Sequence, residues 1–145
     1  YGSEALYDGG LAVRTTIDPR YQQAAGKALR RWLVDYDQRH GWRGPLSTMT
    51  IGENWKDQFV EVEKTLAAAK TISADLAPWR PALVLEVARD EATIGLDDGT
   101  EGTIPLDAMK WARAYKSVDA LGEEVTAASS VLKKGDIIYV EPLEK

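Results

Sequence analysis

The sequence predicts a mainly β fold: a small barrel of about four to five strands, with two helices ahead of it and one short helix within the barrel region. Three observations carry that prediction. From residue 81 onward, apolar and β-branched residues recur at the two-residue period of strands. Ahead of residue 70, two stretches repeat instead at the 3.6-residue period of helices. Asp98-Gly99 separates two of the alternating runs, and that pair favours a tight hairpin turn.

Taken in order, Leu11-Ala12-Val13-Arg14-Thr15-Thr16-Ile17 follows Gly9-Gly10 and reads as a strand. Asp18 and Pro19 then start a helix, because the carboxylate caps free N–H groups and proline fits the first helical position. Tyr21, Leu29, Trp32, Leu33 and Tyr36 fall on one broad face, and Gly41 with Pro45 marks the end. So large an apolar face needs a cover, and the expected cover lies outside this chain. Asn54 is the expected cap of a second helix over 54–70, with Asp57 in its first turn. Trp55, Phe59, Val62 and Leu66 form its apolar side.

Leu83, Leu85 and Val87 alternate with Val84, Glu86 and Ala88, the spacing of a strand. Ala92 to Leu96 alternates again, and Thr103-Ile104 leads out of the turn. Leu106 to Tyr115 reads as a helix with Met109 and Ala112 facing inward, and Ser117 to Ser130 as a polar loop. The turn Lys133-Lys134-Gly135 precedes a last strand over Asp136–Glu141. Short strands, one hairpin, an interposed helix and a late returning strand describe a barrel of the OB type. That barrel needs five strands and four are visible, so the closing strand is expected elsewhere or after Lys145.

Composition narrows the chemistry. The 145 residues are 44% hydrophobic and 28% charged, the balance of a folded chain. Without cysteine there is no disulfide, thiolate metal site or cysteine nucleophile, and the single His40 cannot build a multi-histidine site. No metal or cofactor is expected. No apolar run approaches the roughly 18–20 residues of a membrane span, and the first residues lack a signal-peptide pattern. Any export signal or anchor is expected outside this stretch. Residues 1–80 are nearly neutral, whereas 81–145 carry 7 basic and 13 acidic side chains, a net of −6. Such a surface repels phosphate backbones.

Several strings together resemble a known family. Tyr7-Asp8-Gly9-Gly10-Leu11-Ala12-Val13-Arg14-Thr15-Thr16-Ile17-Asp18-Pro19, followed by Gln22-Gln23-Ala24-Ala25, is similar to a hallmark of class A penicillin-binding proteins. His40-Gly41-Trp42-Arg43-Gly44-Pro45 resembles a junction of the 1A type, with Trp in place of Tyr. Lys134-Gly135-Asp136-Ile137-Ile138-Tyr139-Val140 resembles a strand of that family's OB-like domain. The resemblance implies a bifunctional synthase whose glycosyltransferase domain polymerises lipid II and whose transpeptidase domain cross-links stem peptides. It implies an OB-like domain in the linker region between the two, anchorage by one N-terminal helix, and a location on the periplasmic face of the inner membrane. In some members an outer-membrane lipoprotein docks on that domain. On this reading residues 1–45 lead the transpeptidase domain and 46–145 form the OB-like linker domain, with helix 54–70 and barrel 81–145.

A penicillin-sensitive site needs S-x-x-K, S-x-N and K-T-G. Only Ser130-Val131-Leu132-Lys133 matches, ahead of a turn rather than at a helix start. Asn54 follows Gly52-Glu53, and Lys70-Thr71 is followed by Ile72, so both partner motifs are missing. The glycosyltransferase string E-D-x-x-F is also missing, and Asp97-Asp98 and Glu123-Glu124 read as solvated turn and loop acids. The sequence therefore predicts no catalytic residue. Trp111 and Tyr115, four residues apart on the expected helix, are the candidates for partner binding. The rival reading is an OB-fold module for single-stranded nucleic acid, which needs a basic groove with stacking aromatics. The acidic barrel segment argues against it.

Overall fold

The computed structural model describes residues 15–69 and 79–142. They divide into two compact units, one ending at Tyr36 and the other beginning at Asp37. In the first, helix α1 (Pro19–Arg39) begins as the sequence predicts. Asp18 accepts from the Arg20 N–H at 2.9 Å through Oδ1 and from the Gln22 N–H at 3.0 Å through its carbonyl. The Arg20 guanidinium also holds the Asp18 carboxyl below its ordinary range. No residue of α1 is buried, and Tyr21, Leu29 and Trp32 are all more than half exposed. Residues 11–14 of the expected first strand lie outside the described residues, and Thr15–Ile17 form no strand.

The second unit is built on one antiparallel sheet. Its strands are β1 (Ser47–Thr48), β2 (Arg80–Val87), β3 (Glu91–Gly95), β4 (Glu101–Pro105) and β7 (Asp136–Val140), in the order β1-β7-β2-β3-β4. The fifth strand of this sheet therefore comes from ahead of the other four. β1 is two residues long and is fixed by the Leu46 N–H to Ile137 carbonyl and Met49 N–H to Gly135 carbonyl bonds, both 2.8 Å. The Gly135 N–H in turn donates to the Val84 carbonyl at 2.8 Å, so one turn clamps β1, β2 and β7 together. Among the described residues the sheet does not close: β1 and β4 end it without pairing to each other. The domain is OB-like but not a closed barrel.

Both faces of the sheet are covered. Helix α2 (Trp55–Ala68) lays Phe59 on Leu83 and Ile137, with Trp55, Val62 and Leu66 around them. On the other face Ala82, Val84, Ala92, Ile94 and Ile138 meet Met109, Ala128 and Leu132. Two-sided burial explains why β2 reads as an almost unbroken apolar run. The expected alternation holds only to Leu85. A bulge between Val84 and Glu86 inserts one residue and reverses the parity. Val87 consequently joins Val84 on one face, while Leu83 and Leu85 stay on the other.

Asn54 stands at the N-cap of α2, but its side chain makes no capping bond; Asp57 lies in the first turn as expected. The β3–β4 turn closes around Asp97-Asp98-Gly99, with Gly99 in the left-handed region and the Leu96 N–H bonded to the Thr100 carbonyl at 2.9 Å. The helix expected from Leu106 to Tyr115 is one turn only, α3 (Leu106–Met109). The expected polar loop contains a small hairpin, β5 (Tyr115–Ser117) with β6 (Ala120–Leu121), and a 3-10 turn at Ala128–Ser130. Among the described residues, no helix is long and apolar enough to cross a membrane.

Candidate functional site

Trp111 and Tyr115 do not share a helix face. Trp111 follows α3 in a turn, and Tyr115 opens β5. What joins them is the segment just after α1. The Trp42 N–H donates to the Arg113 carbonyl at 2.7 Å, and the Tyr115 N–H donates to the Trp42 carbonyl at 3.0 Å. Those bonds make a one-residue parallel bridge between Trp42 and Ala114. The bridge sets the Trp42 and Trp111 rings edge to face, with centroids 6.1 Å apart at 82°. It also places the Arg43 guanidinium over the Tyr115 ring, 5.1 Å from its centroid. Asp37 pairs with Arg43.

The hairpin is tied underneath. Arg113 donates through Nε at 2.8 Å and through a terminal nitrogen at 2.5 Å to the Gly122 carbonyl, and the Gly122 N–H donates to the Ala114 carbonyl at 2.7 Å. Trp111 and Tyr115 are each 38% exposed and Val118, at the hairpin tip, is 67% exposed. The result is an aromatic surface beside the Arg43 guanidinium, held by backbone bonds on both sides. It offers ring faces and a guanidinium for contact. Arg113, between Trp111 and Tyr115, belongs to this cluster too, as do Trp42 and Arg43, whose separation in sequence hides them. The one available signal is that Trp42-Arg43 places two large side chains directly between two glycines, where the chain turns.

The other sequence candidates are not brought together. The Ser130 hydroxyl donates to the Ala127 carbonyl at 2.6 Å, within its own 3-10 turn. An open groove of about 630 Å³ beside it is lined by Ser129, Leu132, Lys133 and Lys134 with Leu85, Glu86 and Val87, not by Ser130. Asp97 and Asp98 both engage Arg80, and Glu123 and Glu124 are exposed. Bonds from the Thr100 hydroxyl and N–H, with help from Arg80, bring the Asp98 carboxyl down to about 2. Among the described residues no group of three His, Asp or Glu side chains is placed to hold a metal ion.

The five-stranded sheet, its interposed one-turn helix and its aromatic face define an OB-like accessory domain. The family model described as "Penicillin-binding protein OB-like domain" matches residues 42–145, and the chain belongs to that family, as an OB-like domain of a class A penicillin-binding protein. Relatives named penicillin-binding protein 1A align along nearly all of it. The Rickettsia typhi protein is 35% identical over 97% of this chain, the Escherichia coli protein 35% over 97%, and the Pseudomonas aeruginosa protein 36% over 99%. The chain spans only 16% of the length of each. The crystal structure of penicillin-binding protein 1A from Haemophilus influenzae superposes with a TM-score of 0.58 at 28% identity, covering 88% of this chain and 16% of that one.

Proposed function

We propose that this chain is the non-catalytic linker segment of a bifunctional peptidoglycan synthase of the 1A type. It sits between a glycosyltransferase and a D,D-transpeptidase domain and sets their relation, so that a nascent glycan passes from one site to the other. Residues 1–45 lead the transpeptidase domain and 46–145 form the linker domain proper. The synthase works at the periplasmic face of the inner membrane, anchored by a helix elsewhere in its sequence. The observation that carries this reading is an alignment that runs over 97% of the chain yet takes in 16% of each relative. The isolated S-x-x-K string supports the non-catalytic part, since the Ser130 hydroxyl is committed to the Ala127 carbonyl.

A fluorescent penicillin incubated with the chain tests the reading; no covalent label is expected, and labelling at Ser130 overturns it. Removing the segment from the full synthase is expected to lower cross-linking while each active site still binds its own probe. The Trp42–Trp111–Tyr115 face is the proposed dock for an envelope regulatory protein. Trp111→Ala is expected to weaken capture of that protein from envelope extracts, and unchanged capture removes the aromatic anchor from the proposal. Single-stranded nucleic acid is a poor ligand for this domain: residues 90–109 carry six carboxylates and no basic side chain.

A further inference from the structure

β4 ends the sheet, and among the described residues nothing pairs with its outer side. The ladder to β3 fixes which groups lie there. The Leu96 N–H bonds to the Thr100 carbonyl and the Leu106 N–H to the Asp90 carbonyl, so the residues between alternate from those two ends. Gly102 and Ile104 exchange bonds with Ile94 and Ala92, while Glu101, Thr103 and Pro105 turn their backbone groups outward. The free edge therefore offers N–H groups at Glu101 and Thr103 and carbonyls at Glu101, Thr103 and Pro105. Pro105 has no N–H and limits the edge at that end.

Side chains divide the same strand into two faces. Gly102 and Ile104 are half-buried beside one core, whereas Glu101 and Thr103 are exposed on the other face, across from Gly95 and Thr93, with Glu91 exposed at the far end of β3. The charge balance is extreme here. Asp90, Glu91, Asp97, Asp98, Glu101 and Asp107 carry the whole stretch 90–109, which has no basic residue. Arg80 and Lys110 engage three of them; Asp90, Glu91 and Glu101 make no ion pair among the described residues.

We propose that the β4 edge receives an extended segment of a partner protein as a sixth strand, and that this segment alternates basic and apolar residues. Its backbone completes the bonds at Glu101 and Thr103. Its apolar side chains lie along Gly102 and Ile104, and its basic ones stand beside Glu101 at the α2 side of the sheet, past the rim where Trp55 and Lys56 lie over Gly95 and Gly99. The edge is short and ends in proline, features that oppose pairing with an identical strand while leaving room for a complementary one. The inference does not depend on the linker reading or on the dock assigned to Trp111.

A short synthetic peptide alternating lysine and valine is the probe, titrated onto the intact chain while amide exchange is followed by NMR. Binding is expected to protect the Glu101 and Thr103 amides and to weaken as salt rises. Thr103→Pro removes an outward donor without touching the β3 ladder and is expected to weaken binding about tenfold; circular dichroism checks that it folds. Glu101→Lys tests the charge independently and is expected to weaken binding several-fold at low salt. Equal binding of a glutamate–valine peptide, protection elsewhere than at these two amides, or full affinity in folded Thr103→Pro overturns the proposal. So does concentration-dependent dimerisation that protects the same amides without peptide.

Discussion

Gly41 ends α1 with φ at +87°, and a Cβ there would stand 2.5 Å from the Arg113 carbonyl and 2.7 Å from Leu121. Glycine is thus required twice, by backbone conformation and by the close passage of the hairpin. Gly41→Ala is expected to lower stability by about 2 kcal/mol in urea unfolding and to release the Trp42–Trp111 contact, seen as a change in tryptophan emission. A stability equal to wild type would mean that the passage is looser than drawn. Of these two demands the sequence announced only the first, as a helix terminator, because the second comes from Arg113 and Leu121, some seventy to eighty residues further on. Asp98 is the counterpart among charged groups. Its carboxyl, depressed to about 2 by Thr100 first and Arg80 second, contributes to stability above the ordinary carboxylate range. That contribution fades as pH falls through about 2. An NMR titration is expected to place the Asp98 midpoint there, and Thr100→Val is expected to move it toward the ordinary value; a wild-type midpoint near 4 contradicts the assignment.

α2 and the strands were readable because their apolar periods are long enough to count. Phe59 shows how: it falls on the helical stripe with Trp55, Val62 and Leu66, and it is wholly buried against Leu83 and Ile137. Phe59→Ala removes the side chain that joins α2 to the sheet and is expected to cost about 3–5 kcal/mol in denaturant unfolding. A loss under about 1 kcal/mol would show that α2 is not seated on the sheet through this ring. Shorter pieces gave no such signal. β1 has two residues, fewer than a period needs, and only its bonds to Gly135 and Ile137 make it a strand. Met109, Ala112 and Tyr115 imitate helical spacing, but tertiary bonds claim the backbone first, with the Tyr115 N–H going to Trp42. The bulge at Leu85 leaves no mark in a run where both faces are apolar. The aromatic site inherits this limit: its rings were nameable, but the bridge that assembles them was not.

The distribution of burial assigns different partners to different surfaces. The sheet finds cover on both faces within this chain, from α2 on one and from Met109, Ala128 and Leu132 on the other. Among the described residues α1 does not: Leu29 is 60% exposed and Leu33 51%, on the face that also carries Trp32 and Tyr36. An amphipathic helix gains most of its stability from burying such a face, so a helix of this composition is suited to a surface that covers it. Under the proposed reading that surface belongs to the transpeptidase domain. Leu29→Gln with Leu33→Gln keeps helix propensity while removing the apolar payload. In the chain as it stands, the pair is expected to change unfolding free energy by no more than about 0.5 kcal/mol, because neither side chain is buried. In the longer synthase each is expected to cost about 2 kcal/mol, read as a lower midpoint for the transpeptidase transition in calorimetry. A large loss in the short chain would mean that the face already has its cover here. No loss in the synthase would detach residues 1–45 from the transpeptidase and leave α1 as a spacer exposed along its length.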